Sequence, residues 1–322
     1  MELRSAIAKF SKARILILGD LILDRFIRGE TTKISPEAPV PVVEVKKEIY
    51  CLGGAGNVAN NIVSLGGSAD ICSVVGKDYI AEILFSELKK AGITASGIVV
   101  DSCRGTSIKT RIIAGHQQVV RYDKETVKEV SGQITRNILS YYKSKIKDVD
   151  AVLISDYGKG VVTRKIIQGV INIARKYGTI VTVDPKPEHF SRYKKVDCIT
   201  PNLNEAKSAM RLISAAGEDE VDKLGKKILK TLSCRSVLIT RGESGMSLFE
   251  SNKSTHIPTA AREVYDVSGA GDTVIAAFTL ALACGCVPVD AARISNLAAG
   301  IVVGKLGTAT VSAAELLEVL DR

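Results

Sequence analysis

The chain's 322 residues are 46% hydrophobic, which is ample for a sizeable core in one large α/β domain or two smaller ones and makes a globular protein the default. Forty-four Lys and Arg against 35 Asp and Glu leave a formal charge of +9, but with no block of consecutive basic residues and no basic–aromatic interleaving the surplus points away from nucleic acid and suits an enzyme with phosphate-bearing substrates. No window reaches the ~18 uncharged apolar residues of a membrane span, no signal core opens the chain, and seven cysteines without metal-type spacing read as reduced core residues, so a cytoplasmic protein with no membrane partner is expected.

Residues 14–19, Arg-Ile-Leu-Ile-Leu-Gly, form a short apolar run ended by glycine, which predicts a central parallel strand buried on both faces. Asp20 and Asp24 follow at its carboxyl end, the edge where open α/β sheets bind ligands, so each is a candidate for gripping sugar hydroxyls; turn chemistry accounts equally well for Asp20. From 26 to 50 the pattern changes to alternation with prolines, and a second alternating stretch over 106–123 reads as a hairpin turning near Gly115. Together they predict a small sheet, with strands at about 25–50 and 105–122, that projects from the main domain as a lid over the active edge. In it Lys109, Arg111 and Arg121 alternate with apolar residues, so several can face the cleft and, with Lys159 at the edge, meet a substrate phosphate. The same alternation leaves an apolar face and unpaired edges that a homodimer would cover.

Gly53-Gly54-Ala55-Gly56-Asn57 opens a helix that ends near Leu65. It contains a formal dinucleotide fingerprint, but the preceding 44–50 is charged and edge-like, whereas the fingerprint needs a buried strand upstream. Close backbone approach to a small substrate, with Asn57 as a polar hand, fits better. The middle of the chain alternates as βαβ units do, with strands at 71–75, 151–155, 180–183 and 236–240 and helices at 79–90 and 163–177. Each strand ends in polar residues: Asp156-Tyr157-Gly158-Lys159, Asp184-Pro185-Lys186, Thr200-Pro201-Asn202-Leu203-Asn204-Glu205 and Thr240-Arg241-Gly242-Glu243-Ser244-Gly245. Such a set converges on one crevice, which capping does not explain, and Asp156 joins Asp24 and Asn57 as a partner for sugar hydroxyls. No Walker A sequence occurs and no linker divides the chain, so a single domain over 1–322 without P-loop chemistry is expected; His116, His189 and His256 are assigned no catalytic role.

Asp266-Val267-Ser268-Gly269-Ala270-Gly271-Asp272 leads into the apolar run 273–283, a glycine turn feeding a buried helix. Gly269 and Gly271 let the backbone approach a ligand, and the free N–H groups of the first turn make an anion hole. Asp272 sits beside that hole, where it can take a proton from an attacking hydroxyl or simply cap the helix. A base beside an anion hole means phosphoryl transfer.

Asp266–Asp272 resembles the carboxyl-terminal signature of the ribokinase-like (phosphofructokinase B type) sugar kinases, and 53–57 resembles their amino-terminal glycine signature. Gly19-Asp20 with Asp24-Arg25, the string Ile34-Ser35-Pro36-Glu37-Ala38-Pro39-Val40-Pro41-Val42, Thr200–Glu205 and 302–307 look like the heptose 7-phosphate kinase branch, over essentially the whole chain. The resemblance implies a three-layer αβα sandwich with a mostly parallel sheet and a small β-sheet lid, an ATP- and Mg²⁺-dependent kinase with potassium as a candidate activator, and a homodimer. It implies Asp272 as base and Gly269, Ala270 and Gly271 as anion hole. Asn202, Leu203, Asn204 and Glu205 would lie at the nucleotide phosphates, Glu205 reaching Mg²⁺ through water, while Thr240, Arg241, Gly242, Gly245 and Asn296 would border the nucleotide. Asp24, Asn57 and the backbone of Gly53 and Gly54 would hold the sugar. Many relatives of that branch carry a fused adenylyltransferase; no His-x-Gly-His signature occurs here, so kinase activity alone is expected. A kinase for another sugar, or a sensor that kept the fold, are the alternatives, and Asp272 speaks against the sensor because binding needs no base.

Overall fold

The computed structural model describes residues 3–212, 217–261 and 263–321. After the short helix α1 (Leu3–Ile7), strand β1 (Arg14–Gly19) is buried from its second residue onward. Beyond it, β2 (Leu21–Ile34) and β3 (Pro41–Gly54) leave the body as a long hairpin, and α2 (Ala55–Ser64) returns to it. The first crossover then runs through β4 (Ser68–Gly76), α3 (Tyr79–Lys90) and β5 (Thr94–Asp101). A second excursion follows, β6 (Ser107–Ala114) and β7 (Gln117–Lys124), with Gly115 at its turn as the alternation predicts.

The second half alternates α4 (Gly132–Lys145), β8 (Ala151–Ser155), α5 (Arg164–Tyr177), β9 (Ile180–Asp184), β10 (Cys198–Ile199), α6 (Leu203–Ala209), α7 (Glu218–Leu232) and β11 (Ser236–Thr240). It closes with β12 (Met246–Glu250), β13 (Lys253–Ile257), α8 (Ala270–Ala283), α9 (Pro288–Val302) and α10 (Ala313–Leu320). The main sheet has the order β13-β12-β11-β10-β9-β8-β1-β4-β5, parallel except for β12 and β13 at one edge.

Successive side chains of a strand point to opposite faces, so a strand buried on both sides feeds two cores. Ile15 and Ile17 of β1 join the core under α2, α8 and α9, whereas Leu16 and Leu18 join the one under α4, α5 and α7. This is the expected α/β/α sandwich. The small sheet, order β3-β2-β6-β7, projects from it as expected.

The elements expected from the sequence do not include β5, β12, α4 or α7. The heptad-like Val221, Leu224, Ile228 and Leu232 that seat α7 were legible, but β10 has two residues, too few for any period to show. The glycine pair at 53–54 ends an antiparallel strand of the small sheet, not a buried parallel one, which is why a dinucleotide fingerprint is structurally absent there. The cysteines are all free; Cys72, Cys198, Cys234 and Cys286 are core residues, but Cys103 is exposed.

Candidate active site

The sequence lifts Asp272 into place by a left-handed Gly269, φ 81°, that starts α8. A Cβ on Gly269 would lie 2.8 Å from Asn57 Nδ2, while one on Gly271 would meet nothing within 4 Å, so the turn is pressed against α2 on one side and open on the other. Asp272 itself is only 6% exposed. Its carboxylate accepts hydrogen bonds from Asn57 Nδ2 and from the Tyr157 hydroxyl, each at 2.7 Å. Both donors come from other elements, so the side chain does not serve as a cap for its own helix. Asn57 is fixed in turn: Asn61 Nδ2 donates to its carbonyl, and Thr273 of α8 donates to Asn61 Oδ1.

Burial pushes the Asp272 carboxyl up to about 6, against the hydrogen bonds from Tyr157 and Asn57 that favour the charged form. A base with that value is mostly ionised at neutral pH yet basic enough to take a proton. Turnover is therefore expected to rise through an acid limb near pH 6. Removing the Tyr157 hydroxyl takes a donor from the carboxylate and raises its pKa, so Tyr157→Phe is expected to move the limb to higher pH; a pH profile of kcat that stays in place counts against Asp272 as the titrating group.

In front of Asp272 lies a cleft of about 270 Å³ at the carboxyl ends of β8 to β11, lined by Asp156, Tyr157, Asp184, Lys186, Thr200, Asn202, Glu205 and Thr240 together with Gly269 and Gly271. The convergence expected of the strand-end residues is thus real, but several of them have other partners. Asp156 departs from the sugar-binding expectation: its carboxylate accepts from the Gly158 N–H at 2.8 Å, from the Tyr193 hydroxyl, and pairs with His189 Nδ1 at 2.6 Å. Asp20 resolves to turn chemistry, accepting the N–H groups of Tyr157, Lys159 and Val161 at 3.0, 3.1 and 3.0 Å. That clamp shapes the loop carrying Tyr157. Asn202 and Glu205 form a reciprocal capping box at the start of α6. Leu203 packs on the core beneath it and Asn204 is exposed.

On the nucleotide side, Arg241 donates to the Ser244 carbonyl, and residue 245 must be glycine because its φ is 77° and a Cβ would lie 2.1 Å from the Ile257 carbonyl oxygen. Gly242 is exposed beside them. Asn296 is not brought into the cleft; its amide donates to the Pro258 carbonyl at 2.8 Å, fastening α9 to the crossing chain. On the sugar side, Asp24 pairs with Arg111, whose guanidinium lies 5.3 Å from the Phe26 ring centroid. Gly53 packs directly on the Asp24 carboxylate, and Gly54, with φ 57°, lies so close to the Asp20 carbonyl that a Cβ would be 2.4 Å from it. Lys109 pairs with Asp123 and Glu125, Arg121 with Asp123, and Lys159 with Glu125. The four cations expected at a substrate phosphate are therefore each matched to an acid.

Sequence reasoning named the strings holding Tyr157, Asp184 and Lys186 but gave those residues no role. Their signal was position, directly after β8 and β9. The Asp184 carboxylate receives no hydrogen bond from any described residue, and burial, with Asp272, Glu205 and Asp156 nearby, raises its pKa well above the ordinary value. Mutual repulsion among these carboxylates is what a divalent cation relieves. Among the described residues no three His, Cys, Asp or Glu side chains gather closely enough to hold an ion alone.

A buried carboxylate, an open glycine-flanked helix start and a polar cleft at the carboxyl edge of a parallel sheet define a phosphotransferase site for a small polar acceptor. Residues 12–315 match the model of the pfkB family carbohydrate kinases, and the chain belongs to that family. It is 43% identical over 317 residues to the bifunctional protein HldE of Geotalea uraniireducens, covering 98% of this chain and 64% of that protein. It is 45% identical over 307 residues to HldE of Aliarcobacter butzleri, covering 95% and 64%. The chain thus spans a little under two thirds of the curated relatives it matches. Phosphofructokinase-2 from Escherichia coli, solved in complex with substrates and products, superposes with a TM-score of 0.78 at 20% identity over 96% of this chain and 99% of that one.

Proposed function

We propose that this chain transfers the terminal phosphoryl group of Mg-ATP to the anomeric hydroxyl of D-glycero-β-D-manno-heptose 7-phosphate, giving the 1,7-bisphosphate that feeds lipopolysaccharide core precursors. The observation that carries the kinase reading is Asp272, buried beside the open start of α8 and oriented by Asn57 and Tyr157. The choice of heptose rests on the resemblance of the 34–42 string and on the likeness to the HldE proteins along nearly the whole chain. Asp272 takes the hydroxyl proton as the sugar oxygen bonds to the terminal phosphorus and the bond to ADP breaks. The N–H groups of 269–271 meet the charge on the transferred group. Asp184 and Glu205 would hold Mg²⁺, directly or through water, and the ion neutralises phosphate charge. The Lys186 side chain, which lines the cleft near Glu205 and is ion-paired to no described Asp or Glu, is placed for the same phosphates. Potassium is a candidate activator, and the cytoplasm, which keeps thiols reduced, is the proposed compartment.

Asp24, Asn57 and the Gly53-Gly54 backbone hold the sugar in this reading, and its distal phosphate displaces Asp123 and Glu125 from Lys109 and Arg121 and meets Arg111 beside Asp24. Charge-removing changes at those three cations are expected to raise the Michaelis constant for the sugar phosphate about tenfold or more and spare that for ATP, since a charge-assisted bond contributes about 1.5–3 kcal/mol. Turnover of heptose 7-phosphate should exceed that of fructose 6-phosphate and ribose, and equal turnover of heptose with and without its 7-phosphate overturns the proposal.

The small sheet is proposed to form a homodimer. Every residue of β7 is exposed, and Val120 and Tyr122 present 45% and 47% of their surface from this edge strand, whose outer edge pairs with no described strand. Light scattering at micromolar concentration should return twice the mass of one chain; a monomer rejects the dimer.

A further inference from the structure

Helix α5 buries Ile166, Ile167, Val170, Ile171 and Ala174. Along its exposed margin Arg164, Gln168, Asn172 and Arg175 follow one another at intervals of four, four and three residues. That spacing stacks them in one stripe roughly 16 Å long at 1.5 Å per residue. Facing the stripe is the chain that leaves β9, which contributes Arg192, Lys194 and Lys195, and the two walls enclose a groove of about 600 Å³.

Five cations line this groove and, among the described residues, no acid does. None of the five is ion-paired to a described Asp or Glu. At the small sheet, by contrast, Lys109 and Lys159 pair with Glu125 and Arg111 with Asp24. Arg192 carries a second mark: its Nη1 is sealed from solvent and has no acceptor among the described residues. The residue as a whole is only half-buried and lines the groove, where a guanidinium can bind an anion. Lys195 adds a third, a left-handed φ of 65° held by its N–H on the Leu232 carbonyl, a conformation uncommon for a residue with a side chain and often tied to function.

We propose that this groove binds a small molecule carrying two phosphoryl groups or a pyrophosphate. Two separated walls of cations suit two anionic centres better than one, and planar guanidinium groups bind phosphate oxygens in pairs. The volume is that of a metabolite site. No aromatic side chain lines the groove, so nothing is offered on which nucleic-acid bases would stack. It shares no lining residue with the cleft at Asp272.

The test is calorimetry with inorganic pyrophosphate at low ionic strength, on the full chain saturated with a non-hydrolysable ATP analogue so that the catalytic cleft is filled. One pyrophosphate per chain is expected to bind, more tightly than inorganic phosphate, with affinity falling as salt is added. Arg175→Gln combined with Arg192→Gln should weaken it at least tenfold while leaving the Michaelis constant for ATP unchanged. Arg175→Gln alone, at an exposed helix end, should weaken it severalfold and guards against misfolding of the double variant. Unchanged affinity in Arg175→Gln, no saturable binding, displacement by the ATP analogue, or tighter binding of a single-stranded oligonucleotide than of pyrophosphate would each overturn the assignment.

Discussion

Asp272→Asn is expected to lower kcat by about 10²–10⁴-fold, the range of a general base, while the dissociation constant for ATP barely changes. The split follows from where the groups sit. The anion hole is the backbone of 269–271, which an isosteric side-chain change does not touch, and the nucleotide side of the cleft is built on β10 and β11. Asparagine fills the same buried space but has no charge with which to accept the proton. Residual turnover should remain, because positioning and backbone hydrogen bonds persist without the base. Single-turnover kinetics with a separate titration of ATP measures both quantities, and a variant that keeps a tenth of wild-type kcat removes Asp272 from the role.

A methyl group at residue 53 is expected to do comparable damage from the sugar side. A Cβ on Gly53 would stand 2.3 Å from Asp24 Oδ2 and 3.1 Å from its Cγ. Asp24 cannot swing away cheaply: it is 6% exposed, its partner Arg111 is anchored over Phe26, and the strands on either side fix its backbone. Forcing extra volume into such packing costs about 1–3 kcal/mol, and displacing a substrate-positioning group by about 1 Å can cost 10²-fold. Gly53→Ala should therefore raise the Michaelis constant for the sugar phosphate by about 10–100-fold and leave that for ATP near its wild-type value. Asp24→Asn, which removes charge without a clash, should act in the same direction. Wild-type sugar kinetics in both variants would show that Asp24 does not hold the acceptor.

The amino-acid sequence by itself determined the architecture and the address of the site. Apolar runs ended by polar residues placed β1, β8, β9 and β11 and the edge at which they open, and alternation with prolines separated the small sheet from the body. The glycine turn before residue 273 marked the helix start at which the cleft lies. These are local signals, carried by residue spacing within one element, and they survive without any knowledge of what packs where.

Only the tertiary structure decided what the individual side chains do. Asp20 and Asp24 look alike in the chain, yet one clamps three backbone N–H groups and the other faces Arg111. Lys109, Arg121 and Lys159 read as free charges until Asp123 and Glu125, on the same sheet edge, neutralise them. The basic stripe of α5 acquired meaning only when the chain after β9 closed a groove over it. Asp272 has a pKa near 6 because the body around it removes water, and its charge is directed by Asn57, 215 residues away, and Tyr157, 115 residues away. Burial and long-range partners are properties of several elements at once, so no spacing within any one of them records the result.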